Sequence, residues 1–224
     1  DNCMANERDV ELMRRALELA AGGGGVTRPN PAVGASIVGS GGEILGEGYH
    51  SRAGEPHAEV EALEAARAAG HELKGAAMYV TLEPCNHEGR TGPCSLALIQ
   101  AGLARVVVAM MDPNQGSTGG IEALRQAGIE VETGICEEEA RLLNADFVTY
   151  HQLRRPLVTL KWAMTLDGCT AVPSGDSKWI TSDRAREEVH RRRARHDAVL
   201  AGVATVLRDN ARLNVRLPEG EAQI

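Results

Sequence analysis

Three side chains that lie far apart in the chain restrict what it can fold into. His57 stands in Pro56-His57-Ala58-Glu59, Cys85 follows Glu83-Pro84, and Cys94 comes after an eight-residue interval from Asn86 to Pro93. One imidazole and two thiols are soft or borderline ligands. Three of them with a fourth position left to water make the donor set of a catalytic zinc site, whereas closed structural sites use four protein ligands. A fold that uses them together must bring the start of a helix near His57 to the segment that carries both cysteines. Helices expected after Pro56 and after Cys94 would point their partial positive charge there, which favours thiolates. Glu59 lies two residues beyond His57. On a helix that spacing turns its carboxylate toward the open position without making it a ligand. It can then take a proton from an acidified water and deliver it to a leaving amine.

Composition excludes several other classes. The remaining cysteines, Cys3, Cys136 and Cys169, bring the total to an odd five, scattered through a chain with no basic-then-apolar leader. A disulfide framework is therefore not expected, and these three read as ordinary thiols. No apolar run reaches the ~20 residues that span a bilayer, so a soluble, cytoplasmic protein with no membrane partner is expected. Two Trp, three Tyr and one Phe are too few for a platform of stacked bases. A net charge of −7 also argues against nucleic acid, and the basic run from His190 to His196 reads as a solvated helix face. The length of 224 residues allows one large domain or two small ones. Residues 1–151 carry 11 basic and 22 acidic side chains, and residues 152–224 carry 13 and 9. That change of sign suggests two units that meet near Gln152 to Pro156.

Hydrophobic periodicity orders the elements. Val10, Met13, Leu17 and Ala20 recur on one face of a helix that ends at the glycine run 22–25. Asp1-Asn2-Cys3 stand ahead of Met4 and read as a non-native remnant. Residues 33–38 and 43–49 form two strands around a glycine-rich turn, followed by a helix over 57–69. A strand over 76–81, a helix over 95–101 and a strand over 105–109 come next. Helix 121–127, strand 129–133 and helix 137–150 complete the first unit. This alternation after an initial hairpin predicts a three-layer α/β/α arrangement, largely parallel beyond the hairpin. The second unit restarts with strand 157–163, helix 182–195, strand 198–201 and helix 204–209.

His-x-Glu followed by Pro-Cys and a further Cys is the pattern of zinc nucleobase deaminases, in which two residues usually separate the cysteines. Here the interval holds eight. Other motifs accompany it: Pro29-Asn30-Pro31-Ala32-Val33-Gly34, Gly48-Tyr49-His50, Asn86-His87 with Gly89-Arg90-Thr91, and Asp112-Pro113-Asn114. In the second half stand Lys161-Trp162-Ala163, Ser177-Lys178-Trp179 and Gly202-Val203-Ala204-Thr205. Together they resemble the bifunctional deaminase–reductase family of riboflavin biosynthesis, over essentially the whole chain.

The resemblance implies a cytidine-deaminase-like domain over 1–151, followed over 152–224 by the beginning of a second α/β domain, dihydrofolate-reductase-like. It implies zinc-dependent deamination of 2,5-diamino-6-(ribosylamino)-4-pyrimidinone 5'-phosphate, with Zn2+ on His57, Cys85 and Cys94 and with Glu59 catalytic. Asn30, His50, His87, Arg90, Asp112 and Asn114 would line the substrate pocket. A guanidinium at Arg90 suits a phosphate. Asn30, held between two prolines, can present an amide to a pyrimidine edge. The full-length family also reduces the ribose of the product with NADPH. By the same resemblance Ala163, Trp179, Thr205 and Asp209 would touch NADPH, and Lys161, Ser177, Arg193, Leu213 and Arg216 the reductase substrate. The sequence stops at Ile224 where family members continue, so an incomplete reductase part without NADPH turnover is expected. Gln115-Gly116 after Asp112-Pro113-Asn114, Cys169 and Asn210-Ala211 depart from the family's usual residues and bear on local contacts only.

Two readings compete with a deaminase of a small phosphorylated pyrimidine. A tRNA or free-nucleoside deaminase is disfavoured by the long cysteine interval and the matching second half. A non-catalytic assembly module at the C-terminus follows from the unpaired edges and apolar faces of so short a sheet. A homo-oligomer is expected.

Overall fold

The computed structural model describes residues 6–23, 27–87 and 92–217. The chain divides into two compact units, residues 1–157 and 158–224.

The first unit opens with α1 (Glu7–Gly22), capped by the Asn6 side chain, which accepts the Arg8 N–H at 3.1 Å. A hairpin of β1 (Gly34–Val38) and β2 (Ile44–Tyr49) leads to α2 (Ala58–Ala68). Then follow β3 (Ala77–Leu82), α3 (Cys94–Ala101), β4 (Arg105–Met110), α4 (Gly120–Gln126) and β5 (Glu130–Thr133). The unit ends with α5 (Glu137–Leu143) and α6 (Ala145–Leu153). The sheet runs β2-β1-β3-β4-β5; β1 is antiparallel to both of its neighbours, and β3, β4 and β5 are mutually parallel. Residues 106–110 of β4 are all buried, as expected of a central strand covered on both faces.

Period-two alternation in β2 explains how the two helical layers are seated. Glu47 faces α1, where Arg15 donates to its carboxylate at 2.8 and 3.0 Å. Gly46 and Gly48 face α2. A Cβ on Gly48 would lie 2.5 Å from the Ala62 nitrogen and 2.6 Å from the Ala58 carbonyl oxygen. The helix answers with Ala58, Ala62 and Ala66, all fully buried. Small residues on both sides let α2 lie on the hairpin backbone, and that contact sets the height of the helix start at His57.

The opposite layer is held by a polar knot. Asp9 on α1 is buried and accepts two hydrogen bonds from the Arg105 guanidinium, at 2.9 and 3.0 Å, and one from the Tyr79 hydroxyl at 2.5 Å. Arg105 also bonds Glu132, so α1 is tied to β3, β4 and β5 at one point. Arg105, opposed in part by burial, holds the Asp9 carboxyl below its ordinary 3.8.

Two expectations are corrected. The single helix over 137–150 is broken at Asn144, whose backbone leaves the helical region (φ −108°, ψ 31°). Its buried carboxamide accepts the Ala32 N–H at 2.8 Å and donates to the Ala32 carbonyl at 2.9 Å. These bonds satisfy a buried peptide that has no other ladder partner at that end of β1. In the second unit α7 (Asp183–Ala194), capped by Ser182, and α8 (Val203–Asp209) are present. Residues 157–163 and 198–201 are not strands. A strand exists only as one side of a hydrogen-bonded ladder, and neither segment has such a neighbour among the described residues. No described residue of this unit is buried, and Leu160, Leu166 and Leu200 are exposed. No helix among the described residues is long and apolar enough to cross a membrane.

Gly48→Ala should destabilise the first unit by at least about 1–3 kcal/mol through overpacking, read from denaturant unfolding. Asp9→Asn should lose about 2 kcal/mol at neutral pH by weakening the knot. A lowered native pKa stabilises above the unfolded value, so the gap between wild type and Asp9→Asn should be complete above about pH 4 and close as the pH falls further. Acid unfolding followed by circular dichroism checks this, and a gap independent of pH would contradict it.

Candidate active site

The topology gathers the candidate residues at one end of the sheet. β1 is antiparallel to β3, so the segment Asn30–Val33 that leads into it lies beside the residues that follow β3. β2 returns antiparallel, with Tyr49 opposite Gly34, and delivers His50 to the same end. Parallel β3 and β4 deliver Glu83 to Cys85 and Asp112 to Asn114, where open α/β sheets characteristically bind ligands. The start of α2 brings His57 and Glu59. These residues line a cavity of about 240 Å³, with Pro31, Leu82, Ser117 and Phe147 also on its wall.

His57, Cys85 and Cys94 offer ligand atoms that all lie within 4.8 Å of one another. His57 Nδ1 is 3.2 Å from Cys94 Sγ and 3.6 Å from Cys85 Sγ. Tetrahedral zinc places neighbouring nitrogen and sulfur ligands about 3.5 Å apart, given its usual bond lengths. The trio therefore fits one zinc ion, with Nδ1 as the nitrogen donor. Cys94 is the first residue of α3, and its N–H donates to Cys85 Sγ at 3.4 Å. A hydrogen bond from Cys94 pulls Cys85 down toward the thiolate, against the effect of burial and with help from His57. The same bond, burial and the Glu59 charge push Cys94 up. Hydrogen bonding to Cys85 raises His57.

Glu59 is buried, on the first turn of α2. Burial pushes its carboxyl up to about 7, while its backbone hydrogen bond and the nearby His57 pull the other way. Asp112 is pushed up to about 6, first by burial and then by the charges of Glu83 and Cys85. It accepts the Asn114 N–H at 2.7 Å, and the Asn114 carboxamide donates to Ser117 at 3.0 Å. Asn30 Nδ2 meets His50 Nε2 at 3.1 Å. His87 lies on the cavity wall. Arg90 lies outside the described residues.

Several wall residues carry no strong local signal. Glu83 sits within the Glu-Pro-Cys motif, yet its role depends on the fold: its buried carboxylate accepts N–H groups from Gly119 at 3.0 Å, Asp112 at 3.3 Å and Ile121 at 3.5 Å. It thereby pins the loop that carries Asp112, Asn114 and Ser117. Phe147 reaches the cavity because α6 restarts after Asn144. An Asn inside a helical pattern, which favours caps and turns over helix interiors, was the available clue.

The second-half candidates are spread over unit 158–224. Arg193 donates to the Arg212 and Asn214 carbonyls, both at 3.3 Å, and Arg216 also turns to that segment, bonding the Asn214 side chain at 2.6 Å. Thr205 and Asp209 share α8 at helical spacing, and Trp179 lies 4.2 Å beneath the Arg186 guanidinium. Lys161, Ser177 and Leu213 are exposed and Ala163 is half-buried. Cys136 and Cys169 stand apart from the metal trio.

Glu83→Ala would orphan buried amides of the 112–121 loop. It should cost about 1–3 kcal/mol, with Glu83→Gln, which keeps one acceptor oxygen, falling between it and wild type in thermal unfolding.

Residues 6–110 match the cytidine and deoxycytidylate deaminase zinc-binding region, and residues 156–224 match the RibD C-terminal domain. Riboflavin biosynthesis protein RibD of Aquifex aeolicus is 54% identical over 221 residues, which cover 98% of this chain and 61% of that protein. RibD of Escherichia coli is 52% identical over 217 residues, 96% of this chain and 58% of that one. Among solved structures, the diaminohydroxyphosphoribosylaminopyrimidine deaminase/5-amino-6-(5-phosphoribosylamino)uracil reductase of Thermotoga maritima has a TM-score of 0.90 at 48% identity, covering 96% of this chain and 61% of that one. RibD of Acinetobacter baumannii gives 0.86 at 49%, covering 96% and 60%. The chain thus spans about three fifths of the length of these relatives. On these motifs, this fold and these relatives, the chain belongs to the riboflavin biosynthesis deaminase/reductase family, RibD.

Proposed function

We propose that residues 1–151 form a zinc-dependent aminohydrolase of riboflavin biosynthesis. It would remove the exocyclic amine of 2,5-diamino-6-(ribosylamino)-4-pyrimidinone 5'-phosphate and release ammonia. The observation that carries this reading is the meeting of the His57, Cys85 and Cys94 donors beside a cavity whose wall holds His57, Cys85 and buried Glu59. Zinc, when bound by that trio, supplies a Lewis acid that makes water nucleophilic near neutral pH. Glu59 then takes a proton from the water that adds to the amine-bearing ring carbon, and holds it on its carboxylate out of bulk solvent. Delivered to the amine, the proton lets the carbon–nitrogen bond break with ammonia as leaving group. Asn30, Asp112 and Asn114 orient the ring through amide and carboxyl groups, with His50 beside them. His87, on the cavity wall, is a further proposed contact, and Arg90 is the proposed phosphate contact because a guanidinium can give a phosphate two parallel hydrogen bonds.

Residues 152–224 are the N-terminal portion of the reductase part. NADPH is the cofactor that fits this domain of the family. Ala163, Trp179, Thr205 and Asp209 are its proposed contacts, and Lys161, Ser177, Arg193, Leu213 and Arg216 those of the reductase substrate. Cofactor sites enclose most of their ligand. The described residues of this unit, none of them buried, do not by themselves make such an enclosure, so no hydride step is assigned to them. The reading further holds that the protein is a cytoplasmic homo-oligomer that engages neither nucleic acid nor membrane; its net charge of −7 argues against a nucleic-acid partner.

Glu59→Gln should retain stoichiometric zinc by elemental analysis and lose about 10²–10⁴-fold in ammonia release. Full activity in that variant, or equal turnover of cytidine or tRNA by the wild type, would refute the assignment.

A further inference from the structure

His50 is more enclosed than a substrate contact needs to be. It is 3% exposed, and both of its ring nitrogens are engaged by the protein. Nδ1 lies 3.0 Å from the Pro56 carbonyl oxygen, and Nε2 lies 3.1 Å from Asn30 Nδ2. Its backbone N–H donates to the Val33 carbonyl at 2.9 Å, which fixes the ring beside the Asn30 segment. The ring also stands edge-on to His57, with centroids 5.5 Å apart.

These contacts select one arrangement of protons. A backbone carbonyl only accepts, so Nδ1 must carry the hydrogen. A neutral imidazole then has its lone pair at Nε2, which only accepts. Asn30 must therefore turn its NH2 group toward the ring, because the reversed amide would set Oδ1 against a lone pair. With the nitrogen side spent on His50, Oδ1 is the end of the carboxamide left to a ligand in the cavity that Asn30 lines.

We propose that His50 is a positioning residue: locked by the Pro56 carbonyl as the Nδ1–H tautomer, it sets the Asn30 carboxamide so that Oδ1 meets a hydrogen-bond donor on the pyrimidine. The site would then prefer a ring edge that offers N–H at this point, and His50 would act through Asn30 without touching the substrate. Because Pro56 directly precedes the metal ligand His57, the same clamp keeps Asn30 in register with the metal. The inference rests on the deaminase reading for its substrate but not for its geometry.

Two measurements on the full zinc-loaded chain separate these dependences. In histidine labelled with 15N, the His50 signals, assigned by their loss in His50→Asn, should show a protonated Nδ1 and an unprotonated Nε2. The opposite tautomer, or a doubly protonated ring, overturns the proposal without any need for turnover. In steady-state kinetics with the phosphorylated diaminopyrimidine, His50→Asn keeps a donor for Pro56 and loses the bond to Asn30. It should raise KM about tenfold with kcat little changed, the size expected for one misoriented hydrogen bond. His50→Gln, whose oxygen can accept from Asn30, should recover most of that loss. In the Asn30→Ala background, His50→Asn should add nothing further. Losses that add would mean direct contact between His50 and the substrate and would overturn the proposal. Wild-type protein that releases no ammonia would instead overturn the deaminase reading, with the NMR result still judging the clamp.

Discussion

The close seating of α2 on the β1–β2 hairpin governs the active end of the molecule. Gly46 and Gly48 leave no side chains between strand and helix, and Ala58, Ala62 and Ala66 fill the space with methyl groups. The helix cannot slide outward without opening a void, nor inward without a backbone clash. His57 and Glu59, at its first turn, inherit that fixed position. The metal donors on the other side come from the residues after β3, whose place is set by ladder bonds to β1 and β4. A packing contact and a hydrogen-bonded register together bring donors from distant parts of the chain within one ion's reach.

Electrostatics at this end depend on the same enclosure. Glu59, Glu83 and Asp112 line one cavity, the first two buried and Asp112 half-buried, and each is handled differently. Glu83 is satisfied by backbone amides of the loop it holds. Glu59 and Asp112 are pushed toward protonation by burial, which suits a group that must exchange a proton near neutral pH. At the opposite layer the buried carboxylate of Asp9 is instead ion-paired with Arg105. Asp9, with its guanidinium partner, stays charged and structural, whereas Glu59, buried without one, is poised for proton transfer.

Long local patterns were legible in the sequence. The apolar runs of β3 and β4, the alanine-rich α2 and the hairpin around Gly39 to Gly42 follow from periodicity and turn chemistry, because neighbours along the chain largely decide them. The metal trio was legible for another reason: three soft ligands near helix starts have few uses apart from binding a metal. Asn144 was not read in advance. Its pull on Ala32, 112 residues away, outweighs the helical preference of its neighbours, and Phe147 reaches the cavity only through that break. Strands over 157–163 and 198–201 were expected from composition, but apolar composition cannot supply the neighbouring strand that a ladder requires.

By itself the sequence determined the type of chemistry available, a zinc donor set with an adjacent carboxylate, since residue type and spacing dictate donor softness and helical facing. It also determined the alternation of helices and strands in the first unit, because that depends on contacts within a few residues. Only the tertiary structure decided which nitrogen of His57 faces the thiols and how Glu83 holds the 112–121 loop. It alone decided that both ring nitrogens of His50 are already engaged. These depend on directions in space between segments separated by tens of residues, and hydrogen bonds are directional where hydrophobic patterning is not.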